Sequence, residues 1–195
     1  MSTPTPWIGW YTDPDAFDAG SEAIRRLITA QGVYEARTTP IGTFTVHRPD
    51  LTTASAPPEG LTWRIPRLPL TLLATVLTQF RAALPDERLA NVYWHPASGR
   101  FLLTFPDQST APASVTTADR TDPYDAERPR VLQVHSHGTL PAFFSSTDDA
   151  DEQATGCYGV LGHLDTAHPT MAWRFACGGR HVPLSLTDLF IPERL

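Results

Sequence analysis

The stretch HSHGTLPAFFSSTDDADE, residues 135–152, sets two histidines, three serines and four acids between the apolar runs RVLQV and GVLGHL. His135 and His137 are two apart, and in an extended chain residues i and i+2 face the same side. Two imidazoles on one face of a strand end can chelate a single ion. A third ligand must come from elsewhere, and Asp148 is placed for it. Ser145, Ser146 and Thr147 can cap a helix starting there, which sets Asp148 in its first turn. Two imidazoles and one carboxylate leave one tetrahedral position open, the mark of a catalytic rather than a structural zinc site. Ser136 faces the other side of the strand and reads as structural. The plainer alternative stays open: an HxH pair alone is common, and acids after a serine often serve a helix N-terminus.

The elements that must position these residues can be read from periodicity. LPLTLLATVLTQFRAALP is the clearest helix, with Pro69 at its start, Pro85 at its end, and Leu72, Leu73, Val76, Leu77 and Phe80 on the buried face. RLANVYWHPASGRFLLTFP reads as a hairpin turning at PASG. The polar, Pro-interrupted segment 107–129 reads as mostly loop. RVLQVH is a strand, STDDADEQAT a short helix, CYGVLGHLD a strand, and TMAWRFACGGRHVPLSL a hairpin turning at GG. Before residue 60, DAGSEAIRRLITAQG reads as a helix capped by Ser21, with Ile24, Leu27 and Ile28 on one face and Gly32 as its stop. VYEARTTPIGTFTVHR reads as two strands around TPIG, and PDLTTASAPPEG as a linker. The order predicts an α/β domain over residues 61–195, a mixed β-sheet flanked by helices. Residues 1–60 form a small α+β accessory region in this reading.

Composition narrows the function classes. The chain has 195 residues, 41% of them hydrophobic, and a formal charge of −6. It contains no lysine and no basic run, which argues against a nucleic-acid surface. The N-terminus lacks the basic and apolar regions of a signal peptide, and no apolar stretch approaches the ~18–20 residues that span a bilayer. A cytoplasmic protein without a membrane partner is expected. Cys157 and Cys177 fall outside any CxxC or CxxH spacing and read as free thiols in or near the core, though a disulfide between them stays open.

The cluster resembles the JAMM (MPN-plus) metalloproteases, which carry H-[ST]-H, seven residues, then S-x-x-D. His135, Ser136, His137, the seven residues from Gly138 to Phe144, Ser145 and Asp148 fit that spacing without a gap. The resemblance covers about residues 66 to 190 and implies a JAMM/MPN, cytidine-deaminase-like fold. It implies one Zn2+ per chain on His135, His137 and Asp148, with Ser145 donating to the oxyanion. The family's glutamate lies where the first long helix gives way to the next strand, which points to Glu87 as general base. Glu59, in the linker before the helix, is its rival, and Glu127 lies too close to the HSH strand. Where many members continue past this glutamate with a Cys-Gly-Leu-Leu-Gly-like run, RLANVYW stands here. Within the family the chain looks most like the bacterial, plasmid-borne PRTRC system A proteins. That likeness implies hydrolysis at the C-terminus of a ubiquitin-like protein and a ThiF/E1-like activating enzyme as a further partner.

The residues alone support metal-assisted hydrolysis. An inactive MPN-type scaffold for protein–protein contact is the alternative, but such relatives typically lose the ligands. A zinc nucleobase deaminase expects H-x-E and P-C-x-x-C, and neither occurs. Asp149, Asp151 and Glu152 read as the charged turn of the short helix, Phe143 and Phe144 as packing, and Trp94 and Trp173 as sheet core. His163, His168 and His181 read as surface or satisfied core histidines.

Overall fold

The apolar runs of the second half of the chain become the strands of one mixed sheet. The computed structural model describes residues 8–49, 59–106, 108–111, 114–117 and 127–192. An N-terminal sheet holds β1 (Ile8–Tyr11), β2 (Ile24–Thr29), β3 (Gly32–Thr39), β4 (Gly42–Arg48) and β5 (Gly60–Trp63) in that order, with helix α1 (Pro14–Ala19) between β1 and β2. After the short β6 (Leu68–Pro69) and the long helix α2 (Leu70–Ala82) come β7 (Leu89–His95) and β8 (Arg100–Thr104). A small hairpin, β9 (Gln108–Ala111) and β10 (Ser114–Thr117), precedes β11 (Arg130–Ser136). Then follow α3 (Ser146–Asp151), β12 (Gly156–Gly162), β13 (Thr170–Cys177), β14 (Arg180–Leu184), α4 (Leu186–Leu189) and β15 (Phe190–Ile191). The central sheet has the order β14-β13-β12-β11-β7-β8, with only β11 and β12 parallel.

The two faces of this sheet differ, because side chains alternate along each strand. Leu132, Val134, Cys157, Leu161, Trp173 and Phe175 share one buried cluster with Leu73, Val76 and Phe80 of α2. Gly159 lies on that face where a Cβ would strike the Trp173 ring at 2.2 Å. The opposite face carries Gln133 and His135 of β11, in register across β12 with Arg174 and Ala172 of β13. Leu72 and Leu77 pack at the margin of the cluster rather than within it.

Three segments differ from the sequence reading. Residues 24–29 form β2, not a helix. Their burial alternates, with Arg25, Leu27 and Thr29 inward, and the strand is paired on both sides. Leu27 and Ile28 match a helical stripe only because two arginines occupy the neighbouring positions and hide the period of two. Arg25 survives burial because its guanidinium reaches Thr38 Oγ1 at 3.0 Å and lies over the Phe17 ring. The helix of this region is α1, where Asp13 caps the Ala16 amide at 2.8 Å and Pro14 opens the first turn. The segment read as loop contains the antiparallel pair β9 and β10, polar strands that carry no hydrophobic alternation. At the C-terminus, α4 and β15 were not anticipated. Ser185 and Asp188 form a capping box, and β15 pairs with β6 so that Leu189 and Phe190 close the core. Most of the linker, residues 50–58, lies outside the described residues.

The N-terminal sheet is joined to the central one through its core. Ile41, Phe44 and Val46 belong to the same buried cluster as Phe175 and Cys177, and Phe44 meets Phe175 edge-on with centroids 5.7 Å apart. The ladder between β4 and β5 also runs across residue 60. Its other face packs Leu27, Tyr34 and Ala36 under Phe17. Cys157 and Cys177 are buried free thiols, and burial pushes the Cys177 thiol up to about 12. Among the described residues no helix is long and apolar enough to cross a membrane.

Candidate metal centre

The site begins where β11 runs out. His135 still lies in the ladder, opposite Val160 and Leu89, and the His137 amide continues it by donating to Leu161 O at 2.8 Å. Gly138 then adopts φ +55°, a left-handed turn that suits glycine, and its Cβ direction faces Pro85 O. Between the two histidines Ser136 is fully buried on the other face. Its Oγ accepts from the Arg88 amide at 2.9 Å, and its own amide donates to Arg88 O at 2.9 Å. This serine therefore ties the segment carrying Glu87 to the histidine strand.

A capping box holds the third ligand. Ser145 donates its hydroxyl to Asp148 Oδ2 at 2.7 Å and its amide to the same oxygen at 2.6 Å, while its Oγ accepts from the Asp148 amide at 3.2 Å. With Oδ2 occupied, Asp148 turns Oδ1 toward His135 Nε2, 3.3 Å away. The Nε2 atoms of His135 and His137 face each other at 3.2 Å, and the ligand atoms of all three residues lie within 4.8 Å of one another. An ion bonded tetrahedrally at about 2.0–2.1 Å would separate two imidazole nitrogens by about 3.3 Å. The observed spacings fit a divalent metal. Burial drives the His135 pKa down to about 4, against the opposing pull of Asp148, so its ring is neutral at neutral pH with a lone pair to give. His137 Nδ1 is buried with no hydrogen-bond partner among the described residues, and its ring meets Phe143 in a T-shaped contact, 4.7 Å between centroids.

Glu87 stands between α2 and β7 and is 6% exposed. Burial first, then the charge of Asp148, pushes its carboxyl up to about 7. The paired bonds between Ser136 and Arg88 bring its segment to the histidine strand, and among the described residues Glu87 makes no hydrogen bond or ion pair. A buried carboxyl without a partner asks for an explanation. Glu59 is elsewhere: it accepts the His47 amide at 2.7 Å and pairs with Arg180 at 3.6 Å. Glu127 is exposed.

Two residues of the neighbourhood carry more than the sequence suggested. Arg174, on the same sheet face as His135, is 6% exposed and bonds both Asp149 and Glu152. Glu152, read as part of a charged turn, is a buried C-cap whose amide donates to Asp148 O at 2.9 Å. No spacing rule links position 174 to α3, so only the register of β13 could have exposed it. Beside Arg174, Phe144, His181, Pro183 and Leu186 line a pocket of about 580 Å³. His163 and His168 do not join the cluster.

The family described as prokaryotic homologs of the JAB domain matches residues 69–176, which contain every residue of the cluster and Glu87. A solution structure of a protein from Desulfitobacterium hafniense is similar at 17% identity, over 66% of this chain and 92% of that one, with a TM-score of 0.48. No curated protein matches the sequence.

Proposed function

The chain belongs to the prokaryotic homologs of the JAB domain, and from that premise we propose that it is a zinc-dependent peptidase of JAMM type. In this reading it cleaves the bond at the C-terminus of a ubiquitin-like protein, either to process that protein or to release it from a conjugate. The observation that carries the reading is the convergence of His135, His137 and Asp148 beside a buried, unpartnered Glu87. Family membership by itself covers hydrolases and inactive scaffolds alike, and the intact ligand set favours the hydrolase.

When bound, the ion supplies Lewis-acid activation of water and of the scissile carbonyl. The protein's own groups do the rest. Glu87, buried and with no competing partner among the described residues, takes the proton of the attacking water and returns it to the leaving amine. Ser145 has a single hydroxyl proton, which here goes to Asp148. Turning that proton to the oxyanion leaves the Ser145 amide to keep Asp148 in place. The exposed Leu140 and Phe143 flank His137 and offer apolar surface to an arriving peptide. The likeness to PRTRC system A proteins supports a ThiF/E1-like activating enzyme as the second partner.

Elemental analysis should find about one zinc per chain, lost in His135→Ala and His137→Ala, because an open site cannot spare one of its three protein ligands. The zinc-loaded protein is then incubated with the PRTRC-type ubiquitin-like protein carrying a C-terminal extension, and the products are weighed by mass spectrometry. Cleavage at the end of the ubiquitin-like fold is expected. Full zinc occupancy without cleavage would favour the scaffold, and equal zinc in wild type and the double histidine variant would remove the metal site altogether.

A further inference from the structure

α3 carries Asp148, yet none of its six residues is buried. Helices this short are marginal without packing, and most helical stability in proteins comes from an apolar face that STDDAD does not have. The usual apolar clasp at a helix start joins the residue before the cap to the fourth helical residue. Here those positions are Phe144 and Asp149, which cannot make an apolar contact. Arg174 bridges them instead. Its guanidinium lies 3.8 Å from the Phe144 ring centroid while Nη1 bonds Asp149 Oδ1 at 2.5 Å. The same group also reaches the other end of the helix, where Nε and Nη2 donate to Glu152 Oε2 at 2.8 and 2.6 Å.

Resting on the metal reading above, we propose that Arg174 is a positioning residue for the metal centre, a polar staple that fixes α3 to β13 and thereby holds Asp148 against the two histidines. The argument is one of lever arms. Apart from its approach to His135, Asp148 is held within its own turn, by Ser145 and through its carbonyl by the Glu152 amide, and those bonds move with the helix. Arg174 belongs to β13, two strands from the histidine strand in one hydrogen-bonded sheet. With His181 of β14 beside it, 3.7 Å from Asp149 Oδ1 and 3.3 Å from Glu152 O, it converts the rigidity of the sheet into a fixed place for the carboxylate, and among the described residues it alone carries three charge-assisted bonds to the helix. Charge-assisted bonds in a buried setting are the strong kind, and three of them with a stacked ring leave the helix little freedom to slide.

The test uses the full chain as wild type, Arg174→Gln, Arg174→Lys and Asp149→Asn, with His135→Ala as the control for binding elsewhere. Circular dichroism first establishes that each metal-free protein is folded. Zn2+ affinity is measured against a chelator, and Co2+ is titrated for its visible spectrum. Removing a group that orients a metal ligand typically costs about 10–100-fold in affinity, and that loss is expected for Arg174→Gln, with altered cobalt bands as the carboxylate leaves its place. Lysine keeps the charge without the fork and should recover part of it. Asp149→Asn, at the exposed end of the clamp, should weaken binding less and keep the fold, so it carries the test if Arg174→Gln unfolds. Wild-type affinity and spectrum in the folded Gln variant, or in Asp149→Asn where it stands alone, overturn the inference and leave the metal reading intact. A wild type that binds no better than His135→Ala overturns both.

Discussion

Glu87 is the residue on which chemistry and stability meet. Glu87→Gln should keep fold and zinc and lose hydrolysis by about 10²–10⁴-fold, the usual worth of general acid–base assistance. Glu59→Gln should leave turnover unchanged at equal zinc occupancy, since Glu59 accepts the His47 amide of β4 and pairs with Arg180 on β14, the far edge strand of the central sheet. A fast Glu87→Gln beside a dead Glu59→Gln would reverse the assignment. The raised pKa also makes a stability prediction for the metal-free protein. A carboxyl at about 7 in the fold, against the ordinary 4.5 of a glutamate, holds a proton in the native state that the unfolded chain has lost. Over that window the unfolded state binds fewer protons, so this group's contribution falls as pH rises and levels off above about 7. His135 acts with the opposite slope: its folded value near 4 makes stability decline as pH drops below the ordinary histidine range. The two terms overlap, so the comparison to make is wild type against Glu87→Gln in denaturant melts at pH 5 and pH 8. The variant should gain relative stability at pH 8. An equal difference at both pH values would mean that Glu87 is solvated after all.

At the scale of elements, the short helix α3 and its cap decide whether the ligand set exists. Ser145→Ala removes the N-cap and two of the bonds that turn Asp148 toward His135. Losing such a cap costs ~1 kcal/mol of stability, and zinc affinity should fall with it; thermal denaturation of the metal-free form and chelator competition check the two effects separately. A Ser145→Ala protein with unchanged zinc affinity would show that the backbone amide alone orients the carboxylate. Other elements show how far local pattern reaches. α2, the hairpin of β7 and β8, and the GG turn between β13 and β14 were all legible, since each is specified within about a dozen residues by period, proline and glycine. β2 was not, because the burial of Arg25 draws on Phe17 of α1 and Thr38 of β3 as well as on the nearby Glu22 carbonyl, and the sequence does not show which of its neighbours will meet it. β9 and β10 escaped for the converse reason: QSTA and SVTT carry no apolar alternation to mark them as strands.

For the whole molecule, the shared core makes the N-terminal sheet part of what holds the histidine-bearing sheet in shape. Phe44 is fully buried against Phe175, and Cys177 Sγ lies 3.7 Å from Phe44 O. Truncating a buried phenylalanine to alanine typically costs ~3–5 kcal/mol. Phe44→Ala should therefore lower the denaturation midpoint of the whole chain in one transition, read by far-UV circular dichroism and by the loss of zinc together. Deleting residues 1–60 removes Ile41, Phe44 and Val46 from that cluster and should leave a protein of low solubility although every candidate ligand remains. Two separate transitions for Phe44→Ala, with zinc held through the first, would show instead that the accessory region unfolds on its own.

The histidine pair, the Ser145 cap and the place of Asp148 could be read from the sequence because strand alternation and the first turn of a helix are short-range geometry, fixed by residues at most a few positions apart. The family resemblance, carried by the same spacing, supplied the fold around them. What the spacing could not decide was the environment. The protonation of Glu87 depends on burial and on a charge 61 positions further along the chain. The anchoring of α3 depends on an arginine brought across the sheet by the register of β12 and β13. Desolvation and cross-element electrostatics act through space, and only packing sets which residues share that space.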